Sequence, residues 1–476
     1  MHHKLNRRKF LGQASCAAIG SVTSLNTLYN LMATSRLSVA SSTPPSDYKA
    51  LVCILLAGGN DSYNMLLPKG DAEHAEYAIT RSNLAIPKDN ILGLTGTNNG
   101  RTLGVHPSMP HVQNMYEAGN LAFISNVGTM VEPIANNTEY RSADKRKPLG
   151  LFSHSDQIEQ WQTSIPDERQ AIGWGGRMAD LLNATNSSNG ISMNISLSGR
   201  NIFQSGQNVL EYSISNRGNG ATGIEQLGTS DTGLLNRIRN GAVDSLMADI
   251  YGNVFKETFA NLTTSTIESQ KIFEAAMLQT GTFPTIFTDD DHYLSQNLRM
   301  MARVISSAQT LNQQRQIFFT TFGGWDHHDE VLDNQTFMLG VVSNAINQFY
   351  QALDEADIIL GNAADNKLRD KVTLFTISDF ARTLTSNGNG SDHAWGGNMI
   401  VAGGAVKGGT VYGQYPSLDL ASNLMVSQRG NLLPTTASDQ VFAELARWFG
   451  VSESDLNSYV LPNFGRFDTN PLGFLL

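Results

Sequence analysis

The stretch YKALVCILLAGGNDSYN, residues 48–64, runs through an unbroken apolar segment into two glycines and an aspartate. An apolar run of this length that ends in a glycine turn has the pattern of a strand buried on both faces, as in a parallel sheet. The pattern recurs along the chain. QIFFTTF (316–322) runs into GGWDHHDE (323–330), and KVTLFTI (371–377) runs into SDFAR (378–382). LAFISNV (121–127) and NMIVAGG (398–404) read as two further strands. Segments of helical period lie between or after them, near 107–119, 294–311, 335–356 and 438–450, the last opening on Ser438 as N-cap and closing at Gly450. Strands alternating with helices predict an α/β fold with a largely parallel sheet. Residues 195–290, rich in Asn, Ser, Gly and Thr, read as an insertion or subdomain.

The loops at the strand ends carry the chemistry. Asp61, Asp326 with His327 and His328, and Asp379 all come directly after strands, and a fourth loop, NGNGSDHAWGG (387–397), adds Asp392 and His393. In an open α/β sheet ligands bind beyond the carboxyl ends of the strands, so these loops are expected to converge. Carboxylates with one or two imidazoles make an oxygen and nitrogen site suited to a divalent metal: Zn or Mn, with Ca possible where carboxylates dominate. Each loop alone reads more readily as a solvated turn or helix cap; the concurrence of four points to a shared polar site. His327 and His328 are neighbours whose side chains diverge in an extended segment, so at most one is expected to bind a given ion.

The 476 residues, 41% hydrophobic and 16% charged, suffice for a large core. The N-terminus departs from that composition. MHHKLNRRKFLGQASCAAIG pairs Arg7 and Arg8 ahead of a weakly apolar stretch, and SVA at 38–40 offers small residues for cleavage, the pattern of a twin-arginine export signal. Residues 1–40 are thus expected to be a signal peptide that engages the twin-arginine translocase, and 41–476 a single domain in a periplasmic or secreted protein. That route carries folded proteins, often with a cofactor inserted, which favours a cofactor-bearing enzyme. Removing residues 1–40 takes the formal charge from −10 to −15, which argues against nucleic acid as a partner. Cys16 leaves with the signal, so Cys53 has no partner for a disulfide. No apolar run reaches the roughly 18 residues of a membrane span. Neither a paired-cysteine redox motif nor a nicotinamide fingerprint is present.

LAGGNDSYNMLLP, SHSDQIEQWQT, GWGGRMADLL, GGWDHHDE, the long segment opening ISDFARTLTSNGNGSDHAWGG, and LPTTASDQVFAELARWFGV occur in this order over residues 48–450. Together they resemble the exported bacterial family catalogued as domain of unknown function 1501, which is similar to the alkaline phosphatase and sulfatase superfamily. The resemblance implies an alkaline phosphatase-like three-layer sandwich and a hydrolase of phosphate or sulfate esters using one or two divalent metal ions. It further implies Asp61, Asp326, His328, Asp379 and His393 as metal ligands. Two departures stand out: Phe380 replaces a histidine found in many members, and Asp379 stands where the family more often has the longer Glu.

The superfamily places a nucleophile at a helix N-terminus, where amide hydrogens favour an anion. In GVHPSMPHV (104–112), Pro107 suits a first helical position, making Ser108 the candidate nucleophile and His106 its polar neighbour. Ser108 reads equally as an ordinary first-turn residue, and Ser62 as a second candidate or a turn former. Without a serine, metal-activated water could attack. Arg382 is suited to fork onto an oxyanion. His154, Gln157 and Arg177 resemble family positions and either line the pocket or serve helices. Trp325 and Trp395 read as packing walls. Two function classes emerge: an exported metal-dependent hydrolase acting on a small-molecule or polymer-linked ester, and a non-catalytic exported binding or assembly protein that keeps the fold.

Overall fold

The computed structural model describes residues 47–186, 190–220 and 268–475; the expected signal segment with Cys16, and residues 221–267 in the middle of the expected insertion, lie outside the described residues. In chain order the strands are β1 (Lys49–Ala57), β2 (Leu66–Pro68), β3 (Leu92–Gly93), β4 (Leu103–Val105), β5 (Leu121–Gly128), β6 (Asn194–Ser196), β7 (Tyr212–Ser213), β8 (Arg315–Gly323), β9 (Val372–Ser378), β10 (Gly397–Ala402), β11 (Val411–Tyr412) and β12 (Thr436–Ala437). The helices are α1 (Asp71–Arg81), α2 (Pro110–Glu117), α3 (Asn137–Arg141), α4 (His154–Thr163), α5 (Trp174–Leu182), α6 (Tyr293–Ser306), α7 (Val331–Leu360) and α8 (Ser438–Phe449).

β1 is buried along its whole interior, as its apolar run predicts. It sits between β8 and β9, parallel to both, in the order β11-β5-β10-β9-β1-β8-β6-β7, with β12 paired to β5. β10 alone runs against its neighbours, β5 and β9. That reversal has a consequence for the site. β1, β8 and β9 end level, Ala57 opposite Gly323 and Leu56 opposite Ser378, while the antiparallel β10 begins at the same edge. The connections after β1 and β8 and the single connection from β9 to β10 therefore share one end of the sheet.

The strand period of two splits the core. Ala50, Val52, Ile54 and Leu56 pack with α6 and α7 residues such as Met301, Leu339 and Phe349. Leu51, Cys53 and Leu55 pack on the opposite face with Trp174 and Met178 of α5 and Phe442 and Leu445 of α8. The result is an α/β three-layer sandwich around a mostly parallel sheet, as expected from the sequence. A second, antiparallel sheet, β2-β4-β3, stands apart from the main one. Cys53 is a buried free thiol. Among the described residues no helix is long and apolar enough to cross a membrane.

Several boundaries move. α7 runs to 30 residues and ends on Gly361, whose φ of +69° closes the helix. α2 starts at Pro110 rather than near 107, because a turn at 106–109 precedes it. Ser438 is the first residue of α8 and Ala437 its N-cap, the Ala437 amide donating to Gln440 Oε1 at 3.0 Å. β6 and β7 extend the central sheet, so the start of the expected 195–290 insertion belongs to the main layer.

Trp174 of α5 stacks on Phe442 of α8 with centroids 4.4 Å apart, and Phe203 meets the Trp174 ring edge-on at 4.9 Å. Phe442 is fully buried. Phe442→Ala is expected to lower the unfolding free energy by about 3–5 kcal/mol, the cost of truncating a core aromatic. Denaturant unfolding checks this; a midpoint close to wild type contradicts the packing described.

Candidate metal centre

The loop after β1 approaches the loop after β8 so closely that only glycine fits between them. Gly58 has φ +121°, and a Cβ there would lie 2.5 Å from the Asp326 amide nitrogen. The Gly58 amide donates to Asp379 Oδ1 at 3.0 Å, and the Trp325 amide donates to the Ala57 carbonyl at 3.1 Å. These bonds tie three strand-end loops together. Gly390, in the fourth loop, lies against the His328 backbone, where a Cβ would meet the carbonyl carbon at 2.2 Å.

Three imidazoles gather around Asp326. His393 Nε2 lies 3.1 Å from His154 Nε2 and 3.1 Å from His328 Nε2. Asp326 Oδ1 is 3.1 Å from His328 Nε2 and 3.4 Å from His393 Nε2, and its Oδ2 is 3.5 Å from His154 Nε2. The far nitrogen of each ring has its own acceptor. His154 Nδ1 meets Asp379 Oδ2 at 2.7 Å, His328 Nδ1 meets Asp392 Oδ1 at 2.9 Å, and His393 Nδ1 meets the Phe152 carbonyl at 2.8 Å.

Those partners determine what the inner atoms are. A carboxylate or a carbonyl only accepts, so each Nδ1 carries the proton, an assignment made from the bonding pattern. In a neutral ring Nε2 is then also an acceptor. Three Nε2 lone pairs and a carboxylate meet, an arrangement suited to holding a cation. The spacing suits a metal: donors about 2.0–2.1 Å from a tetrahedral zinc ion lie about 3.3 Å from one another, and the contacts that His393 Nε2 and the Asp326 oxygens make with the other rings are 3.1–3.5 Å. The ligating atoms of His154, Asp326 and His393 all lie within 4.8 Å of one another.

Surroundings set the electrostatics. Partial burial works to raise the Asp326 carboxyl, but the Arg382 guanidinium at 2.6 Å, helped by His328 and His154, holds it below the ordinary carboxylate value. Burial pushes Asp379 up against the opposing hydrogen bonds from His154 and Gly58. Burial likewise lowers His393. The Phe380 ring lies 4.7 Å from the His154 ring and 4.5 Å from that of His393, forming an apolar wall.

Asp326, His328 and His393 are thus brought together, and His154 joins them. The sequence marks His154 only as pocket lining or a helix cap; its position at the start of α4 carries no signal of which loop it faces. Four expectations are corrected. Asp61 is fully buried and its Oδ2 takes the Arg81 guanidinium, which α1 folds back beneath the loop and which also donates to the Thr383 and Leu384 carbonyls. Asp379 has both oxygens engaged, by Gly58 and His154, and meets His154 at Nδ1, behind the ring, rather than at the Nε2 atoms of the cluster. Ser108 and His106 come after β4 of the small sheet, and Ser108 packs against Gly340 in the middle of α7. Their 2.7 Å contact is a local turn, and the nearby Val112 amide at the start of α2 donates to Ser343. Arg382 has its guanidinium on Asp326 and on Ser391 rather than in the open pocket.

The remaining candidates have structural roles. Ser62 Oγ accepts from the Asn398 amide at 2.9 Å and shapes the turn. Arg177 donates to the carbonyls of Thr163, Ile172 and Val460. Trp325 and Trp395 are buried walls. The neighbouring histidines do diverge: His327 is buried beside Trp325 while His328 enters the cluster.

Two buried ionisable groups, Asp61 and His106, give measurable outcomes. Asp61→Asn leaves the Arg81 guanidinium buried without its counter-charge and is expected to cost about 3–5 kcal/mol of stability in metal-free protein; an unchanged denaturation midpoint contradicts the pairing. His106 is buried, which pushes its imidazole down to about 4 from an ordinary 6.5. The unfolded chain binds a proton near 6.5 that the folded chain refuses until about 4, so stability is full above 6.5 and falls as pH drops through that window. His106→Gln should flatten this slope by about one proton's worth, about 1.4 kcal/mol per pH unit. Urea unfolding of both proteins between pH 7 and 4 reads the difference; parallel slopes refute it.

No curated protein matches the chain. Among solved structures it is similar to Ps i-CgsB in complex with k-i-k-neocarrahexaose, at 9% identity and a TM-score of 0.31 over 87% of this chain and 74% of that one. The lipoteichoic acid synthase LtaP from Listeria monocytogenes is similar at 9% identity and a TM-score of 0.30, over 87% of this chain and 81% of that one. Residues 48–457 match the family described as protein of unknown function (DUF1501), and the chain belongs to that family.

Proposed function

We propose that the protein is a hydrolase of phosphate or sulfate esters whose centre is one divalent transition metal held by His154, Asp326, His328 and His393. The observation that carries the reading is the meeting of three Nε2 atoms with a carboxylate, each ring fixed from behind by its own acceptor. Three imidazoles and one carboxylate suit Zn or Mn better than Ca, which prefers a shell of oxygens. When bound, such an ion polarises an ester oxygen and lowers the pKa of a bound water.

The chain's own residues supply the rest. Arg382, buried, fixes the Asp326 carboxylate, whose side chain remains 43% exposed and so faces incoming solute. Asp379 and Asp392 hold the rings of His154 and His328 in their metal-binding tautomer. Phe380 excludes water from one side of the rings. Neither Ser108 nor Ser62 contacts the cluster, so water is the nucleophile in this reading. The ester class comes from the resemblance to the alkaline phosphatase and sulfatase superfamily, and the acidic chain makes nucleic acid a poor substrate. Export by the twin-arginine translocase to the periplasm or beyond rests on the Arg7–Arg8 segment.

That neither Ser108 nor Ser62 contacts the cluster also favours a second reading, an exported binding or assembly protein that holds the ion for structure. Both are tested by metal analysis of protein purified without chelator and a screen of aryl phosphates and sulfates. The hydrolase predicts about one metal per chain and turnover that Asp326→Asn and His393→Ala each reduce by at least about 100-fold, as for loss of a catalytic metal. Metal without turnover leaves the binding protein, and protein without metal contradicts both.

A further inference from the structure

Phe152 has φ +74°, a left-handed backbone that a bulky aromatic residue rarely adopts. Such conformations persist only where the surroundings impose them, and they gather at functional sites. Here the imposing contact and its result are both visible. The Phe152 amide donates to Gln157 Oε1 at 2.7 Å, and the Phe152 carbonyl accepts from His393 Nδ1 at 2.8 Å. Gln157 is fully buried, one turn into α4, and its Nε2 makes no hydrogen bond. The amide is thus anchored through its oxygen alone.

His154 and His328 are oriented by carboxylates, but His393 has only this carbonyl. Asn431 Nδ2 fixes the His393 main chain by donating to its carbonyl at 2.8 Å, yet nothing in that bond chooses between the ring tautomers. The Phe152 carbonyl does, because it accepts and cannot donate. We infer that Gln157 is a positioning residue for the centre: by holding the Phe152 amide it keeps the strained turn in place and aims its carbonyl at His393 Nδ1, leaving His393 Nε2 free to ligate. α4 thereby serves two ligands, His154 directly and His393 through Gln157 and Phe152. This inference rests on the metal-centre reading for its purpose, while the tautomer it fixes exists without any ion.

Two readouts test it. In metal-free protein, nitrogen-15 NMR of the imidazoles should show His393 as the Nδ1–H tautomer, with Gln157→Leu and Gln157→Asn shifting it towards Nε2–H. In cobalt(II) titrations monitored by visible absorption, the same two variants should bind about 10–100-fold more weakly than wild type, the usual effect of losing a partner behind a ligand. Gln157→Glu, which keeps an accepting oxygen and forfeits no hydrogen bond, should restore binding to within a few-fold. Phe152→Gly, which keeps the carbonyl and relieves the strained backbone, should also bind near wild type. Melting of each metal-free variant shows whether it folds, and Gln157→Asn stands in should Gln157→Leu not. A wild-type tautomer and wild-type cobalt affinity in folded Gln157→Asn overturn the inference. Wild type that shows the Nδ1–H tautomer yet binds no cobalt supports the positioning role and overturns the metal reading instead.

Discussion

Atoms of like partial charge do not assemble without something to hold them, and the centre of this protein assembles five. Three imidazole nitrogens and the two oxygens of Asp326 approach to 3.1–3.5 Å, and the outer hydrogen bond of each ring removes the proton that would otherwise let one nitrogen donate to the next. The fold brings three connections together at one sheet edge, with Gly58 and Gly390 at points of close approach. In the function proposed above, a cation shared by all of them converts the cluster into a ligand set.

Burial grades outward to inward in a way that suits such a set. The Asp379 side chain is 1% exposed and locked by two donors, so the base of the site is rigid. Asp326 is open to solvent on its working side. The two buried arginines each meet an acid: Arg81 pairs with Asp61 through Oδ2, and Arg382 fixes Asp326 while leaving Oδ2 clear of its grip. Neither guanidinium has its charge exposed to the pocket, so the inner surface presents acceptors.

The sequence is most informative where periodicity reports directly on burial. The apolar runs of β1, β8 and β9 place the strands to within a residue or two, and the polar residues after them name Asp326, His328 and His393. Direction is what they do not reveal. Asp61 comes after its strand just as Asp326 does, and only the return of α1 with Arg81 turns it into a structural ion pair. Asp379 has the right chemistry for a ligand, but its side chain is one shell too deep. His154 escapes a sequence reading because a histidine at a helix start has an ordinary capping explanation, and its partners lie more than 200 residues away. Ser108 misleads for a related reason: the first helix after β1 starts elsewhere, and the proline-serine pair belongs to a turn against α7. Strand-end position is local information, whereas the identity of a side chain's partner is tertiary.

X-ray absorption at the metal edge of the purified protein tests the shared positive charge most directly. The account predicts a four-coordinate first shell of nitrogen and oxygen at about 2.0–2.1 Å, with the outer-shell scattering of three imidazoles, and loss of one imidazole in His154→Ala. A shell of oxygens alone, or an imidazole count that His154→Ala leaves unchanged, would contradict it.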